Sequence, residues 1–372
     1  MSTSRREFLI AGAMAGSAAS LGIFPGQATA SLRPQETRAL KILILGGTGF
    51  IGPHQVAYAL ERGHTITLFN RGRTNPHLFP EVERLVGDRN GELDALEGRS
   101  WDVVIDNSTA RPDWVKLSAE LLRDSVDRYL YVSSRSAYSD TSRIPMTADA
   151  PTHTFASTGV SPDAERFPYG LAKVLSENEA RRVFPGKTTI FRPGLIIGPG
   201  DPTDRFTYWP VRIHKGGEVL APGEPSDPVQ IIDVRDFCEW MIRMAEDGHT
   251  GIYNVVGPAN PRPMAQLLYG IRGATTAETE FTWVKADFLA DHGIRPYREM
   301  PVWRPPHDGF EGFARFDLTP EVERGLTFRS LAQTTMDTLE YHFSRPQERQ
   351  AALRSGISLA REAEVLAAWH GR

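Results

Sequence analysis

Leu40-Lys41-Ile42-Leu43-Ile44-Leu45-Gly46-Gly47-Thr48-Gly49-Phe50-Ile51-Gly52 is the stretch on which the fold turns. Its first half is almost continuously apolar, as expected of a strand covered on both faces of a parallel sheet. Its second half sets Gly46, Gly49 and Gly52 ahead of a helix over residues 55–62, which Gly63 closes. Gly46 is expected to permit the tight turn, Gly49 to let a pyrophosphate approach the backbone, and Gly52 to let the helix pack close to the sheet. The helix N-terminus then offers unpaired N–H groups and a favourable dipole to an anion. A glycine-rich turn alone is as easily a structural turn. Between a buried strand and a helix it predicts a dinucleotide site touched by Gly46, Thr48, Gly49, Phe50, Ile51 and Gly52.

Working outward, further strands are read over 65–69, 82–86, 101–106, 128–132 and 188–192, with helices over 114–125 and 169–183. Strands alternating with helices at this spacing give an α/β fold, a Rossmann-type doubly wound parallel sheet. Residues 198–228 are rich in Pro, Gly and Asp and read as long loops over the carboxyl ends of the strands. A strand over 230–232, a helix over 234–245, a strand over 251–256 and a helical tail over 331–370 follow. The resulting division is a cofactor domain over 41–195 and a smaller C-terminal α/β substrate-binding region over 196–372, partly interleaved with the first sheet.

Residues 1–30 read as an export signal: Arg5-Arg6-Glu7-Phe8-Leu9, an apolar run over 9–24, then Ala28-Thr29-Ala30. The paired arginines resemble the twin-arginine signal, which routes folded proteins. The run, about 16 residues, is short for a bilayer span. The expectation is therefore a periplasmic or secreted protein, a linker over 31–40, the twin-arginine export machinery as a partner, and no stable membrane insertion after cleavage. One cysteine, Cys238, permits no intramolecular disulfide and reads as a small buried side chain. The net charge of −4 and the absence of a basic block argue against nucleic acid as a partner. No His/Cys/Asp cluster has metal spacing, so no metal is expected.

An NAD enzyme usually ends its second strand with Asp or Glu, to accept from the ribose 2′-hydroxyl. Here the strand runs into Asn70-Arg71-Gly72-Arg73, which is neutral and then basic. Arg71 and Arg73 suit a 2′-phosphate, so NADP is favoured over NAD, and Asp88 is positioned to take the adenine amino group. Tyr169-Gly170-Leu171-Ala172-Lys173 sets a phenol and an amine on one helix face. A free phenol, with a pKa near ~10, is a poor base, and a neighbouring ammonium stabilises its anion. Ser134, just past the fifth strand, is expected at the same sheet edge, hydrogen-bonding the substrate oxygen while Tyr169 moves its proton.

These residues, with Arg192-Pro193-Gly194, Gly198-Pro199-Gly200-Asp201 and residues 230–236, resemble the short-chain dehydrogenase/reductase superfamily in its extended, NAD-dependent epimerase/dehydratase branch. The resemblance covers about residues 41–260. It implies that Lys173 also holds the nicotinamide ribose, that Arg192 and Pro193 lie beside the nicotinamide, and that Arg235 and Arg205 face a substrate phosphate. It also implies a homodimer through two surface helices. Dehydratases of this branch carry an acidic pair directly after the residue matching Ser134. Arg135 and Ser136 stand there instead, which disfavours sugar dehydration. The loops after residues 70 and 198 look more like an atypical subgroup that includes plant chloroplast stem-loop RNA-binding proteins. Three readings follow: an epimerase-type oxidoreductase acting on a small-molecule substrate, a sugar or nucleotide-sugar hydroxyl, through a transient ketone; a reductase or dehydrogenase with net turnover; and, remotely, an RNA-binding protein on this scaffold. Tyr208, Phe206, Trp209, His214, Trp283 and Trp303 are candidates for the substrate pocket.

Overall fold

The computed structural model describes residues 38–107 and 110–372, so the export signal read from the sequence lies outside the described residues. Strand β1 (Lys41–Leu45) is central. It pairs in parallel with β2 (Thr65–Asn70) on one side and β4 (Trp101–Asp106) on the other. With β3 (Glu83–Val86), β5 (Val126–Val132), β6 (Thr188–Pro193) and Gly251–Val255, it forms one seven-stranded sheet whose neighbouring strands are all parallel. The order is Gly251–Val255, β6, β5, β4, β1, β2, β3. The chain reverses its winding direction between β1 and β4. Open α/β sheets bind ligands in the crevice beyond the strand ends at such a point.

The apolar run of β1 is explained by what covers each face. Ile42 and Ile44 point to one side, against α1 (Gly52–Glu61) and α4 (Val234–Asp247), where Val56, Phe237 and Trp240 meet them. Leu43 and Leu45 point to the other side, against α2 (Pro112–Leu122) and α3 (Tyr169–Val183), with Val115, Ala119 and Ala180. Each such buried side chain contributes roughly 1.5–3 kcal/mol relative to exposure. Cys238 is buried within α4, as its bland reading predicted.

The C-terminal half has a core of its own. A parallel pair, Gly217–Pro222 with Thr279–Val284, packs with the helices Tyr208–His214, Met264–Gly273 and Leu359–His370. Trp209 and Trp303 are fully buried there, and Phe206 and Tyr208 lie with them. Among the described residues no helix is long and apolar enough to cross a membrane.

Candidate functional site

The crevice at the carboxyl ends of the strands has two adjacent parts. The first is lined by Gly46, Thr48, Gly49, Asn70, Arg71, Arg73, Asp88, Arg89 and Trp114. The second, a cleft of about 900 Å³, is lined by Phe50, Ile51, Ser134, Tyr169, Lys173, Pro193 and Arg205 among others. Asn107, after β4, lines both. Its side chain is locked to Gln55 of α1 by a pair of hydrogen bonds of 2.6 and 3.1 Å.

The glycine loop frames the first part. Gly46 has φ +110°, and a Cβ on Gly49 would meet nothing within 4 Å. Gly52 corrects the sequence reading: a Cβ there would lie 2.4 Å from the Gly47 carbonyl carbon, so this glycine lets the helix start against its own loop rather than against the sheet. Asn70 lines the first part, but both ends of its amide are used inside the protein. It donates to the Gly46 carbonyl at 2.9 Å and accepts from Gly72 N–H at 2.8 Å, so it braces the two loops that frame the cavity. Arg71 lies 3.8 Å from Asp88. Sequence reasoning missed Arg89, a buried guanidinium beneath this part. It holds Asp106 in two hydrogen bonds and donates to Ser118 at 2.8 Å.

At the other end, α3 begins directly after Pro168. Its residues 169, 173 and 177 share one face at i, i+4 spacing. Gly170 sits where a Cβ would lie 2.2 Å from the Ser136 carbonyl oxygen. Only that close approach brings the first turn of α3 beside the turn that carries Ser134. Ser134 accepts from Ser136 N–H at 3.1 Å, which leaves its own hydrogen for the cleft. Tyr169 is 53% exposed into the opening, with the Lys173 ammonium 5.9 Å from its ring centre. Lys173 is buried and donates to the Val132 carbonyl at 2.9 Å. Burial pushes its amine down to about 8, partly offset by the charges of Asp106 and Glu177.

Two predicted substrate residues are not in the cleft. Arg192 is buried and holds Glu177 through two hydrogen bonds of 3.0 and 2.7 Å, with a third to the Ala148 carbonyl at 3.2 Å. Burial opposes its charge, but Glu177 more than offsets this and keeps the guanidinium above its usual range. Its role is to fasten β6 to α3, where Ser133 also donates to Glu177. Arg235 pairs with Asp233 at 2.7 Å and with Asp337, tying α4 to the helix Leu331–Ser344. Arg205 does line the cleft, on a loop fastened by buried Asp204, which accepts from Arg345 at 2.8 Å and from Arg349. None of the six aromatic and histidine candidates lines either part. Arg135, Tyr297, Arg304 and Phe313 do; Arg135 directly follows Ser134, and no periodicity or motif marks the other three. Among the described residues no group of three or more His, Cys, Asp or Glu side chains is arranged to hold a metal ion.

The model of the NAD dependent epimerase/dehydratase family matches residues 42–256. A UDP-glucose 4-epimerase of Neisseria meningitidis is 25% identical over 166 residues, 37% of this chain and 46% of that protein. A 2-alkyl-3-oxoalkanoate reductase of Stenotrophomonas maltophilia is 27% identical over 181 residues, 44% of this chain and 52% of that protein. The chain thus spans about half the length of the curated relatives it matches. Among solved structures, a UDP-glucose 4-epimerase of Thermotoga maritima with UDP-glucose superposes with a TM-score of 0.59 at 18% identity, covering 82% of this chain and 99% of that one. At such identity the likeness concerns the fold.

Proposed function

The chain belongs to the NAD dependent epimerase/dehydratase family, and from that premise we propose that it is an epimerase-type oxidoreductase acting on the hydroxyl of a sugar or nucleotide sugar through a transient ketone. The observation that carries this reading is that Asn107 lines both the cavity at the glycine loop and the cleft of Ser134, Tyr169 and Lys173, so the two lie side by side. The residues present fit a nicotinamide dinucleotide: open space over Gly49, amide hydrogens at the start of α1, and two arginines at the far end.

When bound, the nicotinamide supplies a hydride acceptor and donor. Ser134 donates its hydrogen to the substrate oxygen and fixes its position. Tyr169 takes the hydroxyl proton and later returns it. Lys173 places a positive charge where it stabilises negative charge developing on the phenol oxygen. Pro193, Phe50 and Ile51 supply apolar walls. We read the cofactor as NADP in preference to NAD, because β2 ends without a carboxylate and Arg71 and Arg73 stand at the cavity. The NAD named with several of the structural relatives is the competing outcome.

Epimerisation leaves the cofactor unchanged overall, which suits the periplasmic or secreted location, reached with the cofactor loaded, that we infer from the twin-arginine-like start. Pairing of two copies through surface helices is part of the same reading. The test is incubation of the purified protein with nucleotide sugars deuterated at the oxidised carbon. Epimer retaining deuterium supports the proposal, and Tyr169→Phe abolishes it. Net accumulation of reduced cofactor without epimer establishes the dehydrogenase instead.

A further inference from the structure

The cleft around Ser134 and Tyr169 is strongly cationic. Arg111, Arg135, Lys173, Arg205 and Arg304 line it, and Asp201 is the one carboxylate among its described lining residues. Arg111 is answered by Asp113 at 2.6 Å. Arg135 and Arg304 form no ion pair with any described carboxylate. They are held instead in a box of aromatic rings. The Arg135 guanidinium lies 3.8 Å from the Phe313 ring centre and 5.6 Å from that of Tyr297. The Arg304 guanidinium lies 5.4 Å from Tyr297, 4.3 Å from Phe310 and 5.1 Å from Phe313. Arg135 donates to the Tyr297 hydroxyl and, at 3.1 Å, to the Phe313 carbonyl. Arg304 keeps a buried Nε without a partner, and burial together with the Arg135 charge depresses its pKa.

Two like charges sharing the faces of the same rings repel and are partly stripped of water, which is costly unless an anion answers them. Arg135 directly follows Ser134, so that anion lies close to the oxygen Ser134 would hold. It therefore belongs to the reacting molecule, near the carbon that changes oxidation state. A planar carboxylate matches the guanidinium fork and offers one oxygen to each cation. We infer that Arg135 and Arg304 clamp a carboxylate of the substrate, so that the hydroxyl handled at Ser134 and Tyr169 belongs to an acid, of uronate or aldonate type, rather than to a neutral sugar. This deepens the proposed function and rests on its assignment of Ser134 and Tyr169.

The test is calorimetric binding to the full chain saturated with oxidised dinucleotide. The probes are D-glucuronate against D-glucose, UDP-glucuronate against UDP-glucose, and D-glucose 1-phosphate. The carboxylate member of a pair should bind at least about tenfold more tightly, as expected for charge-assisted hydrogen bonds. Arg304→Gln should erase that preference while dinucleotide binding persists, and Arg304→Lys should restore part of it. Equal binding within both pairs, preference for the phosphate monoester, or an undiminished preference in Arg304→Gln overturns the clamp. Turnover by the wild type separates the two proposals, because Tyr169→Phe should lose turnover and keep acid binding under both. Acid binding by a wild-type protein that turns over no substrate keeps the clamp and refutes the chemistry. Turnover of neutral sugars without acid preference does the reverse.

Discussion

Arg192 illustrates how far a motif residue can depart from its expected role, and the difference is measurable. Its side chain and that of Glu177 are 4% and 3% exposed, and they meet at 2.7 Å. Arg192→Met removes the cation and leaves the Glu177 carboxylate buried, with the Ser133 hydroxyl still donating to it. Removing one partner of such a pair costs roughly 3–5 kcal/mol, a large share of a stability on the order of 5–15 kcal/mol. Replacing both, Arg192→Met with Glu177→Leu, leaves no unanswered charge and should recover most of that loss. Urea unfolding of the wild type, both single variants and the double variant, followed by tryptophan fluorescence, gives the coupling energy. A single Arg192→Met variant as stable as the wild type would refute the reasoning. So would a double variant no better than the sum of the singles, because a residue serving substrate alone has no such coupling.

Gly52→Ala forces a methyl group to within 2.4 Å of the loop carbonyl carbon, and dinucleotide affinity measured by calorimetry should fall on the order of a hundredfold. Lys173 titrates near 8, so turnover should decline as pH rises through that value and its ammonium is lost, while a flat profile from pH 7 to 9.5 speaks against its charge being used. Burial raises the carboxyl of Glu321 to about 7, so the folded state binds its proton more tightly than the unfolded chain does. Stability from this group is present at low pH and lost as pH rises from about 4.5 to 7. Glu321→Gln should therefore stabilise the protein at pH 8 by about 1–3 kcal/mol and change little at pH 4.5, as read by thermal unfolding.

What was legible in the sequence was local. The run from Leu40 to Leu45 announced a doubly covered strand because alternate residues meet apolar helices on opposite faces. The pair Tyr169 and Lys173 announced itself because helix geometry fixes residues four apart. Partners far along the chain left no such trace. Arg235 finds Asp337, and Arg212 finds Glu362, only once the C-terminal helices fold back. The parallel pair Gly217–Pro222 and Thr279–Val284 is joined through a long crossover, so neither strand marks the other. Trp209 and Trp303 are candidates for a pocket, though such rings more often pack a core, and the second core claims both. The aromatic box around Arg135 and Arg304 likewise depends on a turn near residue 300 reaching the end of β5.

The central claim is that the crevice over Gly49 and Lys173 holds a nicotinamide dinucleotide. Native mass spectrometry of the protein purified without added cofactor, then with NAD+ or NADP+, measures it directly. The expected result is one dinucleotide per chain, retained or taken up, NADP+ ahead of NAD+, and lost in Gly52→Ala. A wild-type protein that stays at its bare mass with every dinucleotide offered would contradict it.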